Sequence, residues 1–128
     1  LFLNGVKQKI IDKKFIKPVL TFSCVGGRDL VNRVIDQITA VSPAPPRAYG
    51  SYVFHGVGIA LRRIDAGIFI NQALWDIGAI TLLAQEAGLS CQYISPAPNL
   101  AKDDLKKYQY SLVLGPEKLA KELTSKLN

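Results

Sequence analysis

The chain has 128 residues, of which 48% are hydrophobic and 20% charged, and its formal net charge is +6. A chain of this length buries about two-thirds of its unfolded surface, enough for one domain with a core of its own, and its apolar runs are all broken well short of the ~20 residues that a membrane span needs. Five of the basic residues fall in KQKIIDKKFIK (Lys7, Lys9, Lys13, Lys14 and Lys17) without aromatic residues in a stacking pattern and without a recognition motif, which describes a solvated face rather than a nucleic-acid interface and suits anionic substrates.

The opening residues, LFLNGVKQ, read as a strand entering an Asn-Gly turn. The chain contains no Met, starts in mid-pattern, and has its lysines after the first apolar residues instead of before them, so it reads as part of a longer protein without a signal peptide. Lys17 to Val25 forms a β-rich run ended by Gly26 and Gly27. Leu30, Val34, Ile38 and Val41 then recur at helical spacing, and the prolines of SPAPPR stop the helix. From Gly50 the pattern is helical again, with Val53, Val57, Ala60, Leu61 and Ile64 on one face and Gly56 and Gly58 open to a close neighbour.

AGIFIN (66–71) reads as a short buried strand. WDIGAITLLAQEAG follows as a helix with Ile77, Ile80, Ala84 and Ala87 in register and Gly88 as its terminal cap. SCQYIS is a strand, SPAPN a loop, LAKDDLKK a short helix or turn, YSLVLG a strand, and PEKLAKELTSKL a last amphipathic helix with Pro116 in its first turn. This alternation predicts an α/β fold with a mostly parallel sheet flanked by helices. Cys24 and Cys91 lack metal-ligand spacing and sit in strand-like runs, so they read as buried, reduced thiols of a cytoplasmic protein.

Few residues carry an obvious chemistry. His55 is the single histidine and reads as a packed or surface residue. CVGG and GVG lack phosphate-loop spacing, and no serine sits in a nucleophile elbow. Asp76 stands out in LWDIG, where a carboxylate interrupts an apolar stretch as a strand feeds a helix. It has two readings. As a cap or first-turn residue it complements the helix dipole; as an oxygen ligand it holds a hard cation such as Mg²⁺.

The stretch from Arg47 to Gly88 resembles the C-terminal part of the inositol monophosphatase superfamily. Arg47, Gly50-Ser51, Asp65-Ala66, Trp75-Asp76 and Glu86-Ala87-Gly88 follow that family's order at spacings that need no gap. Leu3 to Gly5 and the closing YSLVLGPEKLAKEL extend the resemblance over nearly the whole chain. It implies the C-terminal subdomain of an αβαβα fold and the C-terminal half of a Mg²⁺-dependent phosphomonoesterase. Asp76 would be its one metal ligand here, and Gly50, Ser51, Tyr52 and Phe69 would form part of the substrate wall. The acidic motifs that supply the remaining ligands lie in the N-terminal half, so the resemblance implies that this chain is inactive by itself.

Three departures bear on specificity. Phe69 stands where the family has a glutamate on the sugar-alcohol ring, Tyr52 replaces a small alanine, and Leu89 replaces the second glycine of the EAGG ending. The expected partners are a phosphorylated small molecule other than plain inositol phosphate, the other half of the protein, and a second copy in a dimer. The alternative is a non-catalytic binding or assembly module of the same fold. A flavin-reductase reading of LLAQEAGLSCQYI fails because no basic phosphate-binding opening accompanies it.

Overall fold

A computed structural model describes residues 2–7, 17–99, 103, 107 and 109–128. Lys9, Lys13 and Lys14, and most of LAKDDLKK, lie outside the described residues. Strands β1 (Phe2–Leu3) and β2 (Val6–Lys7) form an antiparallel hairpin. Its turn is made by Asn4 (φ 50°) and Gly5 (φ 77°), the left-handed pair that an Asn-Gly hairpin requires.

The main sheet has four strands in the order β3 (Leu20–Cys24), β4 (Ala66–Gln72), β6 (Tyr110–Gly115), β5 (Ser90–Tyr93). Helices α1 (Arg28–Val41), α2 (Tyr52–Ala60), α3 (Leu74–Glu86) and α4 (Glu117–Leu127) flank it. The period of two along β4 builds both halves of the core. Ala66, Ile68 and Ile70 join Leu20, Val34, Ile38, Val113, Leu119 and Leu123 on the α1/α4 side. Phe69 joins Ile59, Ile77, Ile80, Leu112 and Leu114 on the α2/α3 side. The α/β class and the flanking helices follow the sequence expectation.

The expected mostly parallel sheet does not. Among the described strands only β3 and β4 pair in parallel; β4–β6 and β5–β6 are both antiparallel. The chain leaves β5 and returns at the same end of the sheet, so β6 runs back between β4 and β5 and the sheet is mixed.

Helix ends obey local chemistry. Prolines at 43–46 follow α1, whose last carbonyls are partly met by Ser42 N–H donating to Ile38 O at 2.9 Å. Helix α3 ends in a Schellman arrangement, with Gly88 at φ 68°, its N–H donating to Gln85 O and that of Leu89 to Ala84 O. Pro116 is the N-cap of α4, one position before the first turn in which the sequence placed it. Cys24 and Cys91 are free thiols, as expected, though half-buried rather than buried.

The two faces of the sheet differ in character. Helices α1 and α4 set charged residues opposite their buried ones, whereas α2 (YVFHGVGIA) carries no Asp, Glu, Lys or Arg. The predicted inward face of α2 is rotated: His55, Gly56, Ile59 and Ala60 are buried, while Val53 and Val57 point outward. The pattern misled because a helix that is apolar all round has no unique hydrophobic stripe. What orients it is Gly56, where a Cβ would lie 2.4 Å from Ile80 Cγ2 and 3.3 Å from Ile80 Cα, so α2 and α3 meet at backbone range. Gly56→Ala is therefore expected to cost about 1–3 kcal/mol by overpacking, although helix propensity alone would favour alanine by about 1 kcal/mol. Urea unfolding decides the sign, and a stabilised variant would contradict this packing.

Candidate functional site at the carboxyl end of the parallel strands

Strands β3 and β4 are parallel neighbours whose chains turn to opposite faces as they leave the sheet. β3 feeds α1 on one side, and β4 feeds α3 on the other. Such a divergence lies at the carboxyl ends of the strands, the place where open α/β sheets bind ligands. Helix α2 also begins at this end, because Arg47 runs alongside Thr21 in a parallel bridge and α2 then descends toward the start of β4. The first residues of α2 and α3, Tyr52 and Leu74, pack on the same core cluster.

The structure thus brings Gly50, Ser51, Tyr52 and Asp76 to one end and one face of the sheet. Gly50 has φ 70°, a left-handed turn that lets the chain rise from the β3 edge into α2. Ser51 is the N-cap of α2, and its Oγ accepts from the Phe54 N–H at 3.3 Å. Tyr52 is half-buried at the first helical position. Phe69 is not among them. Its side chain has no accessible surface and packs in the core beneath His55, with ring centroids 5.8 Å apart. It sits in a strand paired on both sides, so the substrate-wall role does not fit this geometry.

Asp76 is the third residue of α3, whose N-cap is Ala73. Burial pushes its carboxyl above the usual carboxylate range, and a hydrogen bond with the Ala73 backbone opposes this more weakly. That bond runs from the third residue of the helix back to its N-cap, as in half of a capping box, so Asp76 caps α3 whatever else it holds. Asp65, the other aspartate of the motif, serves the fold instead. Its Oδ2 accepts from the Val19 N–H at 2.7 Å and fixes the entry to β4 beside β3.

Two residues that sequence reading left aside belong to this end. Asn71, at φ 53°, stands within the β4 irregularity between Phe69 and Gln72, and its Nδ2 donates to Val25 O at 3.1 Å, tying the end of β4 to the residue after β3. Gln72 is fully buried, donates Nε2 to Ser23 O at 3.3 Å and to Ile70 O, and leaves Oε1 without a partner among the described residues. An orphaned buried acceptor costs about 1–3 kcal/mol. The signal was available, since FINQA sets two amides into an apolar strand directly before Trp75-Asp76. His55 is the other addition, buried rather than exposed, and it binds the turn that carries Gly50.

These groups suit a hard cation in kind but not in number. Oxygen donors are what Mg²⁺ takes, yet no group of three His, Cys, Asp or Glu side chains able to hold a metal occurs among the described residues. The described residues by themselves do not make up a Mg²⁺ centre. Hollows of about 320 and 250 Å³ lie elsewhere, one between α1 and α4 and one beside Tyr110, and neither is lined by Gly50, Ser51 or Asp76. The candidate end is an open surface.

No family profile matches the sequence, and no curated relative matches it. The fold, however, matches solved structures. An extragenic suppressor protein SuhB from Bartonella henselae superposes with a TM-score of 0.76 at 18% identity, covering 99% of this chain and 48% of that one. An IMPase from Thermotoga maritima gives 0.73 at 15% identity, with 99% and 47% covered. An inositol monophosphatase from Anabaena gives 0.71 at 18%, with 97% and 48% covered. The chain therefore has the fold of one half of these proteins and spans about half their length, consistent with the C-terminal half that the motif order implies.

Proposed function

We propose that this chain supplies the C-terminal half of a Mg²⁺-dependent phosphomonoesterase of the inositol monophosphatase kind. One observation carries the reading. The cap of α2 at Gly50-Ser51 and the first-turn carboxylate of α3 at Asp76 open at the same end of a sheet whose fold matches half of solved inositol monophosphatases. Backbone N–H groups at a helix start suit a phosphoryl group, and Tyr52 flanks them. Asp76 would donate one oxygen to the metal, with the other ligands coming from the other half. When bound, such a metal polarises the phosphoryl oxygen and activates water.

The partner half has a surface to cover. Val53 (57%), Phe54 (56%), Trp75 (52%) and Leu82 (59%) are exposed on the outer side of α2 and α3, and a helix that is apolar all round, as α2 is, belongs in an interior. With this layer covered, Asp76 lies at the rim of the join, where acidic residues of the other half would complete its site. The substrate is a phosphorylated small molecule, and Tyr52 in place of a small residue argues for one other than plain inositol phosphate. The location is the cytoplasm, in keeping with two free thiols, and no described helix is long and apolar enough to cross a membrane. A homodimer belongs to this reading as well.

The test is phosphate release from a panel of phosphomonoesters by the chain joined to its other half. Removal of Mg²⁺ is expected to abolish release, and the 128-residue chain alone is expected to give none above background. A joined protein that folds, binds Mg²⁺ and still hydrolyses nothing would instead be the binding or assembly module.

A further inference from the structure

His55 is 1% exposed, and both of its ring nitrogens are engaged. The Tyr49 N–H donates to Nε2 at 3.1 Å. Nδ1 lies 3.1 Å from Thr21 Oγ1, whose hydroxyl donates to Arg47 O at 2.6 Å. A backbone N–H can only donate, so Nε2 must be the acceptor nitrogen and the neutral ring must carry its proton on Nδ1. The directions then run one way: Tyr49 N–H to Nε2, Nδ1–H to Thr21 Oγ1, and Thr21 O–H to Arg47 O. Each donor hydrogen along that path is used once, and Arg47 O accepts from the Phe22 N–H as well.

This relay ties three elements together. Thr21 lies in β3, His55 in the second turn of α2, and Arg47 and Tyr49 in the segment that climbs from one to the other. Arg47 is also held to β3 by its own backbone, donating to Leu20 O and accepting from the Phe22 N–H. From Tyr49 onward the hold passes to His55, and the next residue is Gly50. The rings reinforce it: Tyr49 meets His55 edge-on at 5.5 Å and Phe54 at 4.9 Å.

We propose that His55 is a positioning residue, whose neutral Nδ1–H imidazole fixes the Tyr49-Gly50-Ser51 turn and so aims the start of α2 at its ligand. The inference rests on the phosphoryl-site reading for its purpose but not for its geometry. An imidazolium would turn Nε2–H against the Tyr49 N–H, donor against donor, at a buried ring. Around the ring stand Thr21 from β3, the Tyr49 backbone and ring, and Phe69 from β4, and of these only the Tyr49 phenol is an ionisable side chain. Burial lowers the pKa of His55 from its ordinary 6.5. For a depressed histidine the stabilisation is complete above the unfolded value and fades as pH falls below it toward the folded value. The turn is thus expected to be tight at pH 7 and to loosen in mildly acidic solution.

The experiment is NMR on the full chain, labelled with ¹⁵N. At pH 7 the His55 ring is expected to show a protonated Nδ1 and a bare Nε2. In His55→Leu the Tyr49 amide should exchange about tenfold faster or more, while Ile80 in the α3 core keeps its rate. His55→Gln, which can return an acceptor to the Tyr49 N–H, should restore most of the protection. In the wild-type chain, lowering the pH below about 6 should raise Tyr49 exchange, corrected for intrinsic rates, before that of Ile80. An Nε2–H tautomer, a charged ring at pH 7, or a loss of protection shared equally by Ile80 would overturn the proposal. None of these readouts involves phosphate, so their failure would leave the phosphomonoesterase reading standing, and an inactive joined protein would leave the clasp standing.

Discussion

Asp76→Asn is expected to lower Mg²⁺-dependent phosphate release by the joined protein more than about 100-fold while leaving its unfolding midpoint nearly unchanged. The size follows from the role: disturbing a residue that merely orients a metal ligand costs about 10–100-fold in affinity or activity, and removing a ligand should exceed that. The stability side follows from electrostatics. Asparagine gives up the favourable meeting of a charge with a helix N-terminus, about 0.3–1 kcal/mol. It also removes a carboxylate whose ionisation the fold disfavours, since burial has raised its pKa against the Ala73 hydrogen bond. The two changes oppose each other. A variant that kept full metal-dependent activity would sink the ligand assignment, and one that lost activity only in step with stability would return Asp76 to the status of a cap.

What the sequence disclosed depended on how local the cause was. The hairpin turn, the α1 stop and the Gly88 cap were legible because each is decided by φ preferences within a few residues. The direction of β6 was not, since strand orientation depends on the end of the sheet at which the chain returns, and no short-range pattern encodes that. The α2 face was misread for a related reason: YVFHGVGIA offers apolar residues on every side, and the contact of Gly56 with Ile80 is a tertiary fact. For the candidate site, motif order is what singled out Gly50, Ser51 and Asp76. His55 was passed over because its partners, Thr21 and Tyr49, are 34 and 6 positions away and one of them is a backbone N–H. Residue type alone does not announce such a role.

Phe69 offers the sharpest separation of fold from site, because the resemblance and the structure disagree about it. Phe69→Ala is expected to cost about 3–5 kcal/mol, the range for emptying a buried phenylalanine site, and to lower the unfolding midpoint by more than about 10 °C. Little relaxation can fill the space. Gly67 already yields its side-chain volume to this ring, since a Cβ there would lie 2.7 Å from Phe69 Cε2, and both neighbouring strands are fixed by ladder hydrogen bonds. Phe69→Glu, which installs the carboxylate that the family places on the sugar-alcohol ring, is expected to be worse than alanine. An unpaired carboxylate in this layer, where Ile59, Ile77 and Leu112 are also buried, must either ionise against desolvation or bind a proton to stay folded. A phenylalanine in a substrate wall would behave in the opposite way, with both variants folding normally and the glutamate shifting substrate preference. Thermal unfolding of the two variants, followed by a substrate panel on whichever folds, distinguishes these outcomes. If both retain the wild-type midpoint, the ring is not core and the wall assignment is restored. If both fall as expected, Phe69 reaches the site only through the His55 ring it supports, 5.8 Å away.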